Sequence, residues 1–230
     1  MDIAYLGILL LTFFLVIYLG WRALPALVVA LAPSQIRARF LDATESDQIL
    51  ASAPSVQAKL TDLRAQGFVV LGILVEQALW QRPVHEVATM SVEKSAFGSI
   101  VFSPARQAVG VYFYTPLAGG GLVFTRSRSA LPELENDSAS VKNLPGASVD
   151  KLWASHRQRL QALRERGQRP LPVADQAARL AAVRAYYTSA YARQVRRRYL
   201  RSTSVVNFLL VTGLLLAIIA IYIWRVTAGA

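Results

Sequence analysis

Two uncharged apolar runs, residues 3–20 and 205–224, bracket the chain, and sequence of ordinary globular composition lies between them. The first, IAYLGILLLTFFLVIYLG, reaches roughly 27 Å as a helix, against a hydrocarbon core of about 30 Å. It ends on Trp21 and Arg22, an amphipathic pair suited to an interface. The second, VVNFLLVTGLLLAIIAIYIW, is interrupted only by Asn207 and Thr212 and closes on Tyr222, Trp224 and Arg225. The expected organisation is an anchor with a juxtamembrane segment over 1–34, a folded domain over 35–202 and a second anchor over 203–230.

Residues 23–32 (ALPALVVALA) stay apolar but contain Pro25. They either prolong the first helix with Arg22 snorkelling or lie along the membrane surface after a kink at Pro25, and a surface or loosely kinked continuation is expected, because proline removes an interior hydrogen bond. Ala30-Leu31-Ala32 has the small-x-small form of a signal-peptidase site. The absence of a basic residue before the apolar run and Pro33 just after the cut argue for an uncleaved anchor. In the second run Gly213 and Ala217 share a face at a spacing that admits close approach of another helix. The first anchor of the same chain is the simplest occupant; self-association or a membrane-protein partner is the alternative.

Arginines near the membrane set the expected orientation. Arg22, Arg37 and Arg39 follow the first run, and Arg193, Arg196, Arg197, Arg198 and Arg201 precede the second, while Arg225 stands nearly alone beyond it. The positive-inside rule then places the central domain in the cytoplasm and both termini outside, in a plasma (inner) membrane. Neither run contains an ionisable side chain, which argues against an ion or proton path through these two helices alone.

The net charge of +11 is concentrated. Residues 151–201 hold thirteen Lys/Arg and two acids, and the rest of the chain is neutral. A basic stretch beside a bilayer gains about 1 kcal/mol per charge from anionic headgroups. Arg193, Arg196, Arg197, Arg198 and Arg201 are therefore the expected membrane- or lipid-facing residues, and membrane proximity explains the charge more simply than nucleic acid does. The chain has no cysteine, so disulfides, thiolate nucleophiles and Cys-ligated metals are excluded.

The central domain reads as α+β: a small, mostly antiparallel sheet packed by helices. Polar helix patterns cover 44–52 and 54–66, the second with Val56, Leu60 and Leu63 on one face and Gly67 as its stop. FVVLGILVEQ (68–77) is continuously apolar, as a strand covered on both faces would be. Strands are also expected at 84–92, 97–103, 108–115 and 121–128, the last two joined by a turn over Gly119-Gly120-Gly121. The outer end of 121–128, with Arg126 and Arg128, is expected to leave the core. Residues 129–147 read as a loop with room for one edge strand. A helix over 149–166 follows Ser148, and no Gly or Pro interrupts 173–212, so one helix is expected to run straight into the second anchor.

No residue pattern commits the chain to a reaction, a metal or a cofactor, and no diagnostic family motif is present. Gly119-Gly120-Gly121 precedes a strand and not a helix N-terminus, which removes the phosphate-loop reading. His85 and Glu86 point to opposite faces of a strand and form no dyad. His156 lies on the apolar stripe of its helix, as a buried, hydrogen-bonded histidine would. Two expectations follow. One is a membrane-tethered cytoplasmic interaction or accessory module that binds a protein partner or anionic lipid headgroups. The alternative is a membrane-associated enzyme or small-ligand binder with a pocket between sheet and helices near His156, Arg126 and Arg128.

Overall fold

A computed structural model describes residues 3–31, 36–77, 82–128, 132–201 and 203–228. It divides into two units, one of residues 34–195 and one of residues 1–33 with 196–230.

The second of these units holds the terminal helices, α1 (Ile3–Leu31) and, at the other end of the chain, α7 (Thr203–Ala228). Both contain a stretch long and apolar enough to cross a membrane, Leu6–Leu24 and Thr203–Trp224. α1 is helical through Pro25 and continues to Leu31, so residues 23–31 extend the first helix. Proline costs the helix interior one backbone hydrogen bond without ending the helix here. Arg22 lies over the Tyr18 ring at 5.8 Å, its stem along the helix. α1 packs beside the first turns of α7, where a Cβ on Gly20 would stand 3.1 Å from the Phe208 ring. The small face at Gly213 is not the one α1 uses, since a Cβ there would meet nothing within 4 Å.

The 34–195 unit is built on one sheet of eight strands in the order β1-β2-β3-β4-β5-β6-β8-β7. The strands are β1 (Arg37–Phe40), β2 (Phe68–Gln77), β3 (Val84–Ser91), β4 (Phe97–Phe102), β5 (Ala108–Pro116), β6 (Leu122–Arg126), β7 (Leu134–Glu135) and β8 (Ala139–Asn143). Neighbours from β1 to β6 pair antiparallel, as short connections require. The segment expected to be a loop with room for one edge strand supplies two strands: β8 lies parallel to β6, and the short β7 closes the edge. Asn136 makes this possible. Its Oδ1 accepts from the Ser138 and Ala139 amides, turning a polar stretch back into the sheet.

Helices cover both faces. α2 (Ala43–Ala51) starts on Asp42, whose carboxylate accepts from the Glu45 amide at 2.7 Å. α3 (Pro54–Ala65) and α4 (Val149–Glu165) bury Val56, Leu60, Leu63, Leu152 and Trp153 against Ile73, Ile100 and Phe113. On the opposite face α5 (Gln176–Thr188) and the first half of α6 (Ala190–Leu200) place Ala182, Tyr191 and Val195 against Tyr114, Phe124 and Val141.

The single long helix expected over 173–212 is three helices. Ser189 interrupts it in extended backbone, φ −63° and ψ 159°. Its hydroxyl donates to the Tyr186 carbonyl at 2.6 Å and accepts from the Ala192 amide at 3.0 Å, ending one helix and capping the next. A serine that satisfies orphan groups on both sides breaks a helix without glycine or proline.

Gly119 and Gly120 take positive φ in a 3-10 turn between β5 and β6. Gly121 has a different role: a Cβ there would collide with the Ser138 carbonyl oxygen, a backbone atom. Gly121→Ala is therefore expected to cost about 1–3 kcal/mol, the usual cost of overpacking. Thermal unfolding of the full chain reads it, and an unchanged midpoint would rule out close β6–β8 approach at this point.

Candidate functional site

Sheet alternation sends Glu76, Glu86, Ser99 and Tyr112 to the face covered by α5, since Leu74, the residue two before Glu76, pairs with Glu86, and Ser99 with Tyr112. From above, α5 lowers Arg179 onto them. Arg179 and Glu86 are only 2% and 3% exposed and form a direct ion pair. The Arg179 guanidinium also donates to the Tyr112 hydroxyl at 2.6 Å and stacks over Phe97 and Tyr112. Tyr112 donates to the second Glu86 oxygen, and Ser99 to the first at 3.3 Å. Both carboxylate oxygens are thus engaged, the arrangement a buried charge needs.

Burial pushes the Tyr112 phenol well above its ordinary range, which keeps it a donor to Glu86. Burial would lower Arg179, but the Tyr112 oxygen, Glu86 and Glu76 outweigh it and hold the guanidinium charged. One group in this cluster is not satisfied: Arg179 Nε is buried without a hydrogen-bond partner.

Beside the cluster is a cavity of about 210 Å³. Its walls are aromatic and aliphatic, with Tyr114, Phe124, Tyr186, Val101 and Val183 among them, and Glu76, Arg82, Glu86 and Arg179 are its charged members. Glu76, half-buried, accepts from the Tyr187 hydroxyl at 2.8 Å. Burial, and then the neighbouring Glu86, raise its carboxyl to about 7. Among the described residues neither Glu76 nor Arg82 has an ion-pair partner. No group of three His, Asp or Glu placed for a metal occurs among the described residues.

His156 lies on the other side of the sheet, fully buried against Phe113 and Trp153. Its hydrogen bonds fix its tautomer. Thr115 donates its one hydroxyl proton to the Ser95 carbonyl at 2.9 Å, so toward His156 Nε2, also 2.9 Å away, it can only accept. Nε2 therefore carries the proton, and Nδ1 accepts from Thr125 at 2.9 Å. Arg159 donates to Thr125 and, at 3.0 Å, to Ser140, which donates to Glu135 at 2.6 Å. Burial first, then the Arg159 charge, hold His156 well below its usual value. Burial also lowers Arg159, to about 10.

The arginines grouped with His156 by sequence are not beside it. Arg126 belongs to the α5 face, buried, with Nε donating to Asn143 at 2.9 Å and its guanidinium over Phe124. It does not leave the core as β6 ends, because β8 continues alongside and supplies Asn143. Arg128 is exposed and lies across Gly110. The acids of 133–137 pair elsewhere, Glu133 with Lys142 and Asp137 with Arg166. On α6, Arg193, Arg197 and Arg198 are exposed, as is Arg201 just after it; Arg196 lies on the same helix.

Glu86 and Arg179 were not singled out from sequence, yet a signal exists. Glu86 shares strand parity with Val84, Ala88 and Met90, and Arg179 shares a helix stripe with Ala182, Val183 and Tyr186. A lone charge on each of two apolar faces, opposite in sign, marks a candidate buried pair.

These features define a class: an α+β domain with an eight-stranded, mostly antiparallel sheet, in a chain with two terminal helices apolar enough to cross a membrane. No protein-family model, curated protein or solved structure matches the chain.

Proposed function

We propose that the protein is a two-pass membrane protein whose central domain is an interaction module at the cytoplasmic surface of the inner membrane, held against anionic lipid headgroups by α6. The observation that carries this is the exposed set Arg193, Arg197, Arg198 and Arg201, directly before a helix able to span. The outward apolar faces of α1 and α7 support the anchors: Leu11, Phe14, Leu210 and Trp224 are each more than 60% exposed. Such faces suit lipid and not water. Orientation follows from the positive-inside rule. Gly213 and Ala217, exposed on α7, are offered to a partner helix or a second copy.

Amide exchange along α6 tests the headgroup contact in the full chain, reconstituted in discs of zwitterionic lipid with or without anionic lipid. Anionic lipid is expected to slow exchange across α6, and high salt to remove the effect. Replacing Arg193, Arg197, Arg198 and Arg201 by Gln is expected to do the same. Identical exchange in both lipids would reject the headgroup contact. Protection that appears only with a co-purifying protein would assign α6 to a protein partner.

A second reading, a small-ligand binder, is favoured by the cavity beneath α5. His156, on the other face of the sheet, does not line it.

A further inference from the structure

The geometry points to the cavity beneath α5 as a binding site for a small organic ammonium compound with an apolar body, its cationic head on Glu76 and its body among the aromatic side chains. This rests on the ligand-binding reading and adds the chemical class. Four observations converge on it.

The first is capacity. A cavity of about 210 Å³ exceeds the roughly 150 Å³ apolar cavity that accepts benzene. The second is lining. Phe124 is in ring contact with Tyr112, Tyr114 and Tyr186, and Tyr186 with Tyr187, at centroid separations of 5.1–6.0 Å. A wall of this kind favours both an apolar body and a cation close to ring faces.

The third is charge. The Glu86 carboxylate is already matched by Arg179 and Tyr112 and has nothing to offer a ligand. Glu76 is different: it receives a neutral phenol from Tyr187 and, among the described residues, feels the Arg179 charge without forming an ion pair. A carboxylate in this setting is raised to about 7 by burial and by Glu86. An arriving ammonium offsets both causes by forming a charge-assisted hydrogen bond with the carboxylate. The fourth is position: Arg82, exposed, lines the same cavity and can donate to an acceptor atom elsewhere on the ligand.

Binding should depend on pH through Glu76. The groups facing it are Glu86 from β3, Tyr112 from β5, and Arg179, Tyr186 and Tyr187 from α5, with Arg82 lining the same cavity. β1 contributes only Ala38 at that register. Tyr112, Tyr186 and Tyr187 are all raised by burial and stay neutral, so Glu76 is the group whose charge changes near neutrality.

Three probes share one body and differ in the head: phenethylamine, 2-phenylethanol and phenylacetate. Calorimetric titration of the full chain in detergent compares them, with Glu76→Gln as the reference for partition into micelles. Phenethylamine is expected to bind best, more tightly as pH rises through about 7. Glu76→Gln, which keeps an acceptor for Tyr187, is expected to weaken it by about tenfold or more, the loss of one charged hydrogen bond. Tyr187→Phe keeps the ring and is expected to change affinity far less. Retention of the far-ultraviolet spectrum shows that both variants fold. Tighter binding of phenylacetate or phenylethanol would overturn the ammonium assignment while leaving a ligand site. Unchanged binding in folded Glu76→Gln would be micelle partition alone and, like failure of all three probes to bind, would overturn site and assignment together.

Discussion

Arg179→Ala is expected to lower the unfolding free energy of the central domain by about 3–5 kcal/mol, the range for stranding one member of a buried ion pair. The loss has two parts. Glu86 would keep only Tyr112 and Ser99 as donors, with its charge no longer compensated in a site 3% exposed to solvent. The packing of the guanidinium over Phe97 and Tyr112 would also go. Glu86→Ala strands the opposite charge and is expected to cost a similar amount. The discriminating variant is the pair Glu86→Leu with Arg179→Met, which removes both charges and refills the volume. It is expected to be more stable than either single variant, because replacing a buried pair by apolar groups is often neutral. Urea unfolding of the full chain in detergent supplies the comparison. If the double variant loses the sum of the single losses, the two side chains do not act as a unit and the cluster has been misread.

The same pair shows where sequence reasoning stops. Strands β2 to β6 and helices α2 to α4 were legible because their apolar periodicity and their stops at Gly67 and Gly167 are local. Three elements were not. The parallel strand β8 depends on Asn136 folding a polar segment back, and its partner β6 is reached only in three dimensions. The break at Ser189 comes from a side chain that satisfies two helix ends at once, a role its residue type does not announce. The continuation through Pro25 leaves a helix with one backbone bond fewer, which the residue type alone does not announce. For the candidate site, alternation did reveal that Arg126 and Thr125 face opposite ways. It could not reveal that His156 joins Thr125 while Arg126 joins Phe124, since that depends on which helix covers which face. Glu76, Glu86 and Arg179 come from positions 76, 86 and 179, and only the sheet register and the placement of α5 bring them to one cavity.

His156 should make the domain acid-sensitive in a way opposite to Glu76. An unfolded histidine titrates near 6.5, and the folded one lies well below that. Between the two values the unfolded chain binds the extra proton, so stability falls as pH falls, by about 1.4 kcal/mol per pH unit. Glu76 has the reverse sign: raised to about 7 from 4.5, it binds the proton in the folded state, so stability rises as pH falls through that window. The two effects cancel in part, and the wild-type curve alone would hide both. The difference between wild type and His156→Gln isolates the first, because every other group is common to both chains. That difference is expected to shift against wild type steadily below about pH 6.5 in urea unfolding. A flat difference would mean that the folded chain accepts the proton. Its hydrogen bonds make this unfavourable: a proton on Nδ1 would turn the Thr125 acceptor site into a donor facing a donor, with the Arg159 cation directly behind it. Thr125 would have to rotate its own proton away, and its oxygen would then receive from Arg159 and His156 together. A charge on His156 therefore opposes the hydroxyl chain from Ser95 to Glu135 at its centre, and acid should loosen the α4 side of the sheet before the α5 side.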